Sequence, residues 1–189
     1  MSEKRFDPSN LHKLDNPERR KALPPEQILG LLKLNETDII LDLGAGSGYF
    51  TIPAAQLTKG QVYALEVEKR MLEALRERVD AEGLSNVELV EGAIEEIPLQ
   101  DGLADHVIAS LVLHEVEPLS KGLKEIQRML KPGGNCLCLE WEKKETPQGP
   151  PLHHRIHSDE MKQAVEQAGF TVESVTFPTD SHYILIFGK

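Results

Sequence analysis

Basic residues are in short supply: 21 Lys and Arg stand against 31 Asp and Glu, a formal charge of −10 with a pI near 5.2. Nucleic-acid binding is dominated by cations meeting phosphates, so a DNA or RNA substrate is disfavoured. Cysteine is scarce too, with Cys136 and Cys138 alone. They lie two apart in an expected strand, on one face and at a separation unsuited to bridging each other. They read as reduced core residues, because a thiolate site for a soft metal recruits more ligands than two. No apolar run approaches the roughly 18 residues of a membrane-spanning helix, and the opening MSEKRFDPSN carries no apolar signal-peptide core. A soluble cytoplasmic protein is expected. No repeat, low-complexity tract or long linker marks a second domain, and 189 residues suit about one.

The most informative stretch is DIILDLGAGSGYFT, Asp38 to Thr51. An apolar run (Ile39, Ile40, Leu41, Leu43) is interrupted by Asp42 and passes through glycines 44, 46 and 48 toward a helical pattern. Strand, glycine turn and helix follow one another. Glycine permits positive φ and close approach of a ligand to bare backbone, and the helix start offers unpaired N–H groups at a positive dipole end. A dinucleotide fingerprint would place glycine sixth, where this chain has Tyr49, and a carboxylate two residues ahead of the loop would repel a pyrophosphate. A ligand with a cationic amine suits Asp42 better.

With D-L-G-A-G-S-G, the chain resembles the first motif of class I S-adenosylmethionine-dependent methyltransferases. In that family the loop holds the methionine end of the cofactor. The later DHVIASLVLHEVEP and RMLKPGG stretches are similar to those of small bacterial methyltransferases related to the quinone-biosynthesis C-methyltransferases, the likeness running from about Asp38 to Cys138. The resemblance implies a single-domain, doubly wound, mainly parallel α/β sheet with a C-terminal antiparallel hairpin. It also implies S-adenosylmethionine as cofactor, S-adenosylhomocysteine as product and an unidentified small-molecule acceptor. The cofactor-binding positions that it implies are Asp42, Gly44, Ala45, Gly46, Gly48, Glu66, Val67, Met71, Gly92, Ala93, Ile94, Ser110 and Leu111. Asp42 would take the methionine amine, directly or through water, and Ser110 and Leu111 would lie under the methionine moiety.

QVYALEVE reads as the second strand, and Glu66 at its end falls about 20 residues beyond the glycines, where an acid can accept both ribose hydroxyls of an adenosine. An NAD site would use Glu66 in the same way. GAIEEIPL resembles the family's third motif, except that Ala93 stands where an acid meets the adenine; the backbone of Ala93 and Ile94, or Glu95, would have to supply that contact. Glu95 and Glu96 otherwise read as an exposed loop. A non-catalytic S-adenosylmethionine-binding protein and, more remotely, an NAD-dependent oxidoreductase are the alternatives.

Residues 1–24 are polar and punctuated by Pro8 and Pro17, a segment able to serve as a flap over a ligand or to be a frayed tail, ahead of a domain at 25–189. Helices are expected at Pro25 to Leu34, Tyr49 to Leu57, Glu68 to Glu82, and from an N-cap at Ser158 to Gly169. VELVEG, the run from Asp105, CLCLEWEKKE, TVESVTF and HYILIFGK supply further strands. His114 spills over the end of the fourth strand, where α/β sheets bind ligands, and an imidazole there is a general-base candidate or a wall residue. Glu115 is a weaker candidate. Glu140 reads as a solvated strand end and Trp141 as core, either able to shape a substrate pocket. His153 and His157 lack the pattern of a metal site, and Arg155 reads as part of a connecting loop or as a contact to a polar substrate. No metal is expected, and the oligomeric state is not legible.

Overall fold

Short apolar strands alternating with amphipathic stretches require a sheet covered on both faces. The computed structural model, which describes residues 15–189, has that form. Its strands are β1 (Ile40–Leu43), β2 (Val62–Glu66), β3 (Val87–Glu91), β4 (Ala104–Ser110), β5 (Leu130–Trp141), β6 (Thr171–Thr179) and β7 (His182–Gly188). They form one sheet in the order β3-β2-β1-β4-β5-β7-β6. The first five pair in parallel, and β7 runs antiparallel to both β5 and β6. This is the expected doubly wound sheet with its terminal hairpin.

The helices are α1 (Pro17–Ala22), α2 (Pro25–Leu29), α3 (Thr51–Leu57), α4 (Lys69–Ala81), α5 (Leu119–Met129) and α6 (Ser158–Gln167). On one face Leu123, Ile126 and Met129 of α5 and Met161 and Val165 of α6 pack with Cys136, Cys138, Tyr183, Leu185 and Phe187. On the other, Ile28 and Leu29 of α2 and Ala54 and Ala55 of α3 pack with Leu137, Leu139, Ile184 and Ile186. The two thiols are buried core groups as expected, and burial pushes both well up in pKa.

Three expectations are corrected. The helix expected to run to Leu34 ends at Leu29, passes through a tight turn at Gly30–Leu32, and stops at Lys33 with φ of 53°. The helix after the glycine loop begins at Thr51 rather than Tyr49, and the Tyr49 hydroxyl donates to the Leu23 carbonyl at 2.7 Å. The last helix is capped by His157, not Ser158. The His157 Nδ1 accepts from Asp159 N at 3.1 Å while Glu160 accepts from His157 N at 3.4 Å, a reciprocal box in which an imidazole replaces the usual hydroxyl.

The flap expectation falls largely on residues 1–14, outside the described residues. From Asp15 onward the segment is tied down: Asp15 pairs with Arg20 at 2.6 Å and Arg78 at 2.8 Å, and Arg78 also donates to the Ser47 carbonyl at 2.6 Å. Among the described residues no helix is long and apolar enough to cross a membrane, and no group of three or more His, Cys, Asp and Glu is placed to hold a metal ion.

Candidate active site

The chain winds outward from β1 to β3 and then returns to lay β4 beside β1. Such a reversal opens a crevice at the carboxyl ends of the strands, and the glycine loop leaves β1 into it. Gly44 and Gly48 sit at φ of 63° and 84°. A Cβ on Gly44 would lie 2.5 Å from the Val112 side chain, so the loop and the β4 exit interlock only without one. Opposite them Leu111 is held at φ of 55°, an uncommon conformation for a branched side chain, with its N–H donating to the Leu139 carbonyl at 2.7 Å.

Asp42 is 2% exposed at the end of β1 and accepts from the Thr51 hydroxyl at 2.6 Å. Burial raises its carboxyl to about 7, the nearby charge of Glu66 adds to the rise, and Thr51 opposes it. Such a group is poised for a cationic partner. Glu66 closes the loop from β2: Oε2 accepts from Gly46 N at 3.0 Å, and Oε1 from Val67 N at 2.9 Å and Glu68 N at 3.0 Å. Its carboxylate therefore keeps one acceptor position, on Oε2, rather than two free oxygens. Val67 is exposed beyond it, while Met71 is buried. Gly92 packs so near Pro98 that a Cβ would lie 2.7 Å from its ring, and Ala93 bridges to Glu96 in a tight turn that buries Ile94. Two buried hydroxyls on this edge, Ser47 Oγ and Ser110 Oγ, have no hydrogen-bond partner among the described residues. Buried polar groups ordinarily find partners, so both point to a polar ligand.

On the other side of β4 lies a second constellation. His114 is 7% exposed in a turn at Leu113–Glu115 just past β4, and its Nδ1 donates to Glu140 Oε2 at 2.8 Å. Glu140, 1% exposed, also accepts from His114 N and Trp141 N at 3.2 Å each. Burial disfavours charge on the ring, but the charge and hydrogen bond of Glu140 outweigh it and raise the His114 pKa. The solvated strand end expected of Glu140 is thus overturned: it alternates with Cys136 and Cys138 on a buried face, a periodicity visible in the sequence. Trp141 is half-buried, its ring 4.0 Å from that of His182 and 5.1 Å from the Arg155 guanidinium carbon. Arg155 is buried and spends its donors on the carbonyls of Pro150, Lys144 and Gln148, so it shapes the loop that it was expected merely to belong to.

The description "Methyltransferase domain" matches residues 41–138. A crystal structure of a SAM-dependent methyltransferase from Aquifex aeolicus superposes with a TM-score of 0.91 at 31% identity, covering 97% of this chain and 99% of that one. The chain belongs to the class I S-adenosylmethionine-dependent methyltransferases. A ubiquinone/menaquinone biosynthesis C-methyltransferase, UbiE, from Brucella anthropi is 38% identical over 77% of this methyltransferase and 54% of its own length. A demethylmenaquinone methyltransferase from Geobacillus kaustophilus is 32% identical over 65% and 53%. The chain spans about half the length of these curated relatives.

S-adenosylmethionine suits the residues of this methyltransferase. Its amine matches the buried Asp42 and its hydroxyls the remaining position on Glu66, while the unpartnered Ser47 and Ser110 hydroxyls lie along the same edge; the N–H groups of Ala45, Gly46 and Gly48 are spent within the protein, on the Leu65 carbonyl, Glu66 Oε2 and the Ala45 carbonyl. Sequence reasoning pointed to Asp42, Glu66 and Ser110 among these residues, and not to Ser47. It did not anticipate Arg78, which ties Asp15 to the loop, or His182, whose neighbours come from β5 and the end of β6.

Proposed function

We propose that the protein transfers a methyl group from S-adenosylmethionine to a small-molecule acceptor that arrives with an ionisable O–H or C–H proton, His114 serving as the base. The observation that carries this reading is the buried His114 and Glu140 pair beside the glycine cradle. When bound, the cofactor supplies an electrophilic methyl on a sulfonium sulfur. Glu140 holds His114 Nδ1–H and so leaves Nε2 as the basic nitrogen. The raised pKa makes it a stronger base than a free imidazole, available once the pH exceeds that value. The Gly44 to Gly48 loop with Asp42 and Glu66 would fix the cofactor, and burial around His114 would keep water from the reacting atoms.

A purely cofactor-binding protein would have no use for a buried proton-accepting pair, and Tyr49 at the sixth loop place disfavours an NAD oxidoreductase. A charge of −10 supports a small-molecule acceptor rather than nucleic acid, in a cytoplasmic protein. Residues 25–189 would form the methyltransferase domain, with the preceding segment as its cover. Arg19 stacked 4.0 Å over Tyr49, and Asp15 linked through Arg78 to Ser47, support that role. The test is S-adenosylhomocysteine formation against a panel of phenols, enolisable dicarbonyls and quinone precursors. Turnover on a member with an ionisable proton, reduced at least 100-fold in His114→Ala, supports the reading. Turnover unaffected by that substitution refutes the base, and cofactor binding without turnover on any member refutes transfer.

A further inference from the structure

Three polar side-chain atoms other than those of arginine are buried without a partner among the described residues: Ser47 Oγ, Ser110 Oγ and His182 Nε2. Ser47 follows β1, Ser110 ends β4 and His182 opens β7, so all three lie along the carboxyl edge of the parallel strands. The first two fall among residues assigned above to the cofactor. The third is two strand spacings, roughly 10 Å, beyond β4, past the His114 and Glu140 pair. That is the acceptor's side of the proposed base.

We propose that His182 anchors an anionic oxygen of the methyl acceptor, a carboxylate or phenolate on an apolar body, by donating a hydrogen bond from Nε2. This rests on the methyltransferase reading above and names the chemistry of its second substrate. The proton's position follows from the neighbours. Thr179 Oγ1 accepts from Ser181 N at 3.1 Å and lies 2.8 Å from His182 Nδ1. The hydroxyl's own proton finds an acceptor when it points at Nδ1, which leaves the imidazole proton on Nε2. This is the tautomer that the proposed hydrogen bond requires.

The surroundings select the ligand. Trp141, directly opposite in the β5 and β7 ladder, packs against the imidazole with ring centroids 4.0 Å apart and planes tilted by 43°. Arg155 lies 5.1 Å from the Trp141 ring centre, and its hydrogen bonds all go to backbone carbonyls, which leaves its positive charge uncancelled by any carboxylate in contact among the described residues. Leu139 and Ile184, neighbours in the same ladder, belong to the apolar cluster that also holds Tyr49 and Leu111. An N–H donor and a nearby cation over an apolar floor favour an anionic oxygen carried by an apolar frame. His182 is 8% exposed, so a ligand reaches it only if a covering element shifts. The charges of Arg19 on helix α1 and of Glu140 both act on the His182 ring, which places helix α1 nearby; that helix is pinned through the Asp15 pairs with Arg20 and Arg78, and the Arg78 pair would have to part for it to yield.

The probe is 4-hydroxybenzoate, titrated by calorimetry into the full chain saturated with S-adenosylhomocysteine, with the histidine nitrogens followed by NMR in 15N-labelled protein. The expected results are a perturbed His182 Nε2–H resonance and affinity weakened roughly 10-fold or more in His182→Phe, which keeps a ring to stack on Trp141. His182→Gln, which retains a donor, stays within about threefold of wild type. S-adenosylhomocysteine affinity is equal in all three proteins. An unmoved His182 resonance, equal probe affinity in His182→Phe, or no probe binding by wild type that does bind S-adenosylhomocysteine overturns the assignment. Failure of wild type to bind S-adenosylhomocysteine instead removes the methyltransferase reading beneath it, and the two failures are thereby distinguished.

Discussion

Replacing Glu140 by Gln keeps its volume and removes its charge, which isolates what the carboxylate does for His114. Both side chains are almost fully buried, so solvent screens the pair little. The carboxylate accepts three N–H groups, from His114 Nδ1, His114 N and Trp141 N. A glutamine has one carbonyl oxygen for them and must turn its NH₂ toward at least one donor. A hydrogen bond to a charged group contributes about 1.5–3 kcal/mol, so a loss of about 2 kcal/mol is expected, or roughly 4–8 °C in Tm for a chain of this size. The pH dependence follows from linkage. His114 titrates above its ordinary 6.5 in the folded protein, so its pairing stabilises the fold in full below 6.5. That contribution fades as pH rises through the folded pKa. The difference in stability between wild type and Glu140→Gln should therefore be largest near pH 6 and shrink above it, without vanishing, because two backbone N–H groups still need the carboxylate. NMR titration of the His114 ring should move to lower pH in the variant, and so should the acid limb of any pH–rate profile. An unchanged midpoint, or a stability gap that widens with pH, would refute the argument.

Four further outcomes follow from the cradle. Glu66→Ala should weaken S-adenosylhomocysteine binding roughly 10-fold or more by calorimetry, since it removes a ligand acceptor and leaves Gly46 N without its partner; unchanged affinity would remove Glu66 from the site. Binding of a ligand with a cationic amine should ionise Asp42, which in the free protein titrates at about 7, and so release roughly half a proton at pH 7. Calorimetry in buffers of different ionisation enthalpy measures that release, and Asp42→Asn should abolish it. The same raised pKa implies, with the same sign as the His114 pairing, that stability of the free protein falls as pH climbs from about 4 to 7. Gly44→Ala places a Cβ 2.5 Å from Val112 at a positive φ, and should lower stability by at least about 1–2 kcal/mol in denaturant unfolding while weakening S-adenosylhomocysteine binding.

What was legible in the sequence was whatever is encoded locally. The run from Asp38 to Thr51 announces strand, glycine turn and helix because each depends on near neighbours, and the alternation of elements then fixes a parallel sheet and its crevice. Caps were less secure: His157 took the role expected of Ser158 because an imidazole nitrogen can accept an N–H as a hydroxyl does. The acceptor side was hardest to read. Glu140 acquires its meaning from His114, 26 residues away, and Arg155 acquires its burial from carbonyls that only the folded loop gathers. His182 stands at the head of an apolar run, and nothing in that run indicates that Trp141 and Thr179 leave one ring nitrogen unspent.

The most direct test of the central claim is a calorimetric titration of the full chain with S-adenosylhomocysteine and, separately, NAD. Saturable one-to-one binding of S-adenosylhomocysteine, weakened roughly 10-fold or more in Glu66→Ala, with no heat from NAD, is the predicted result. Binding of NAD alone, or of neither, would contradict it.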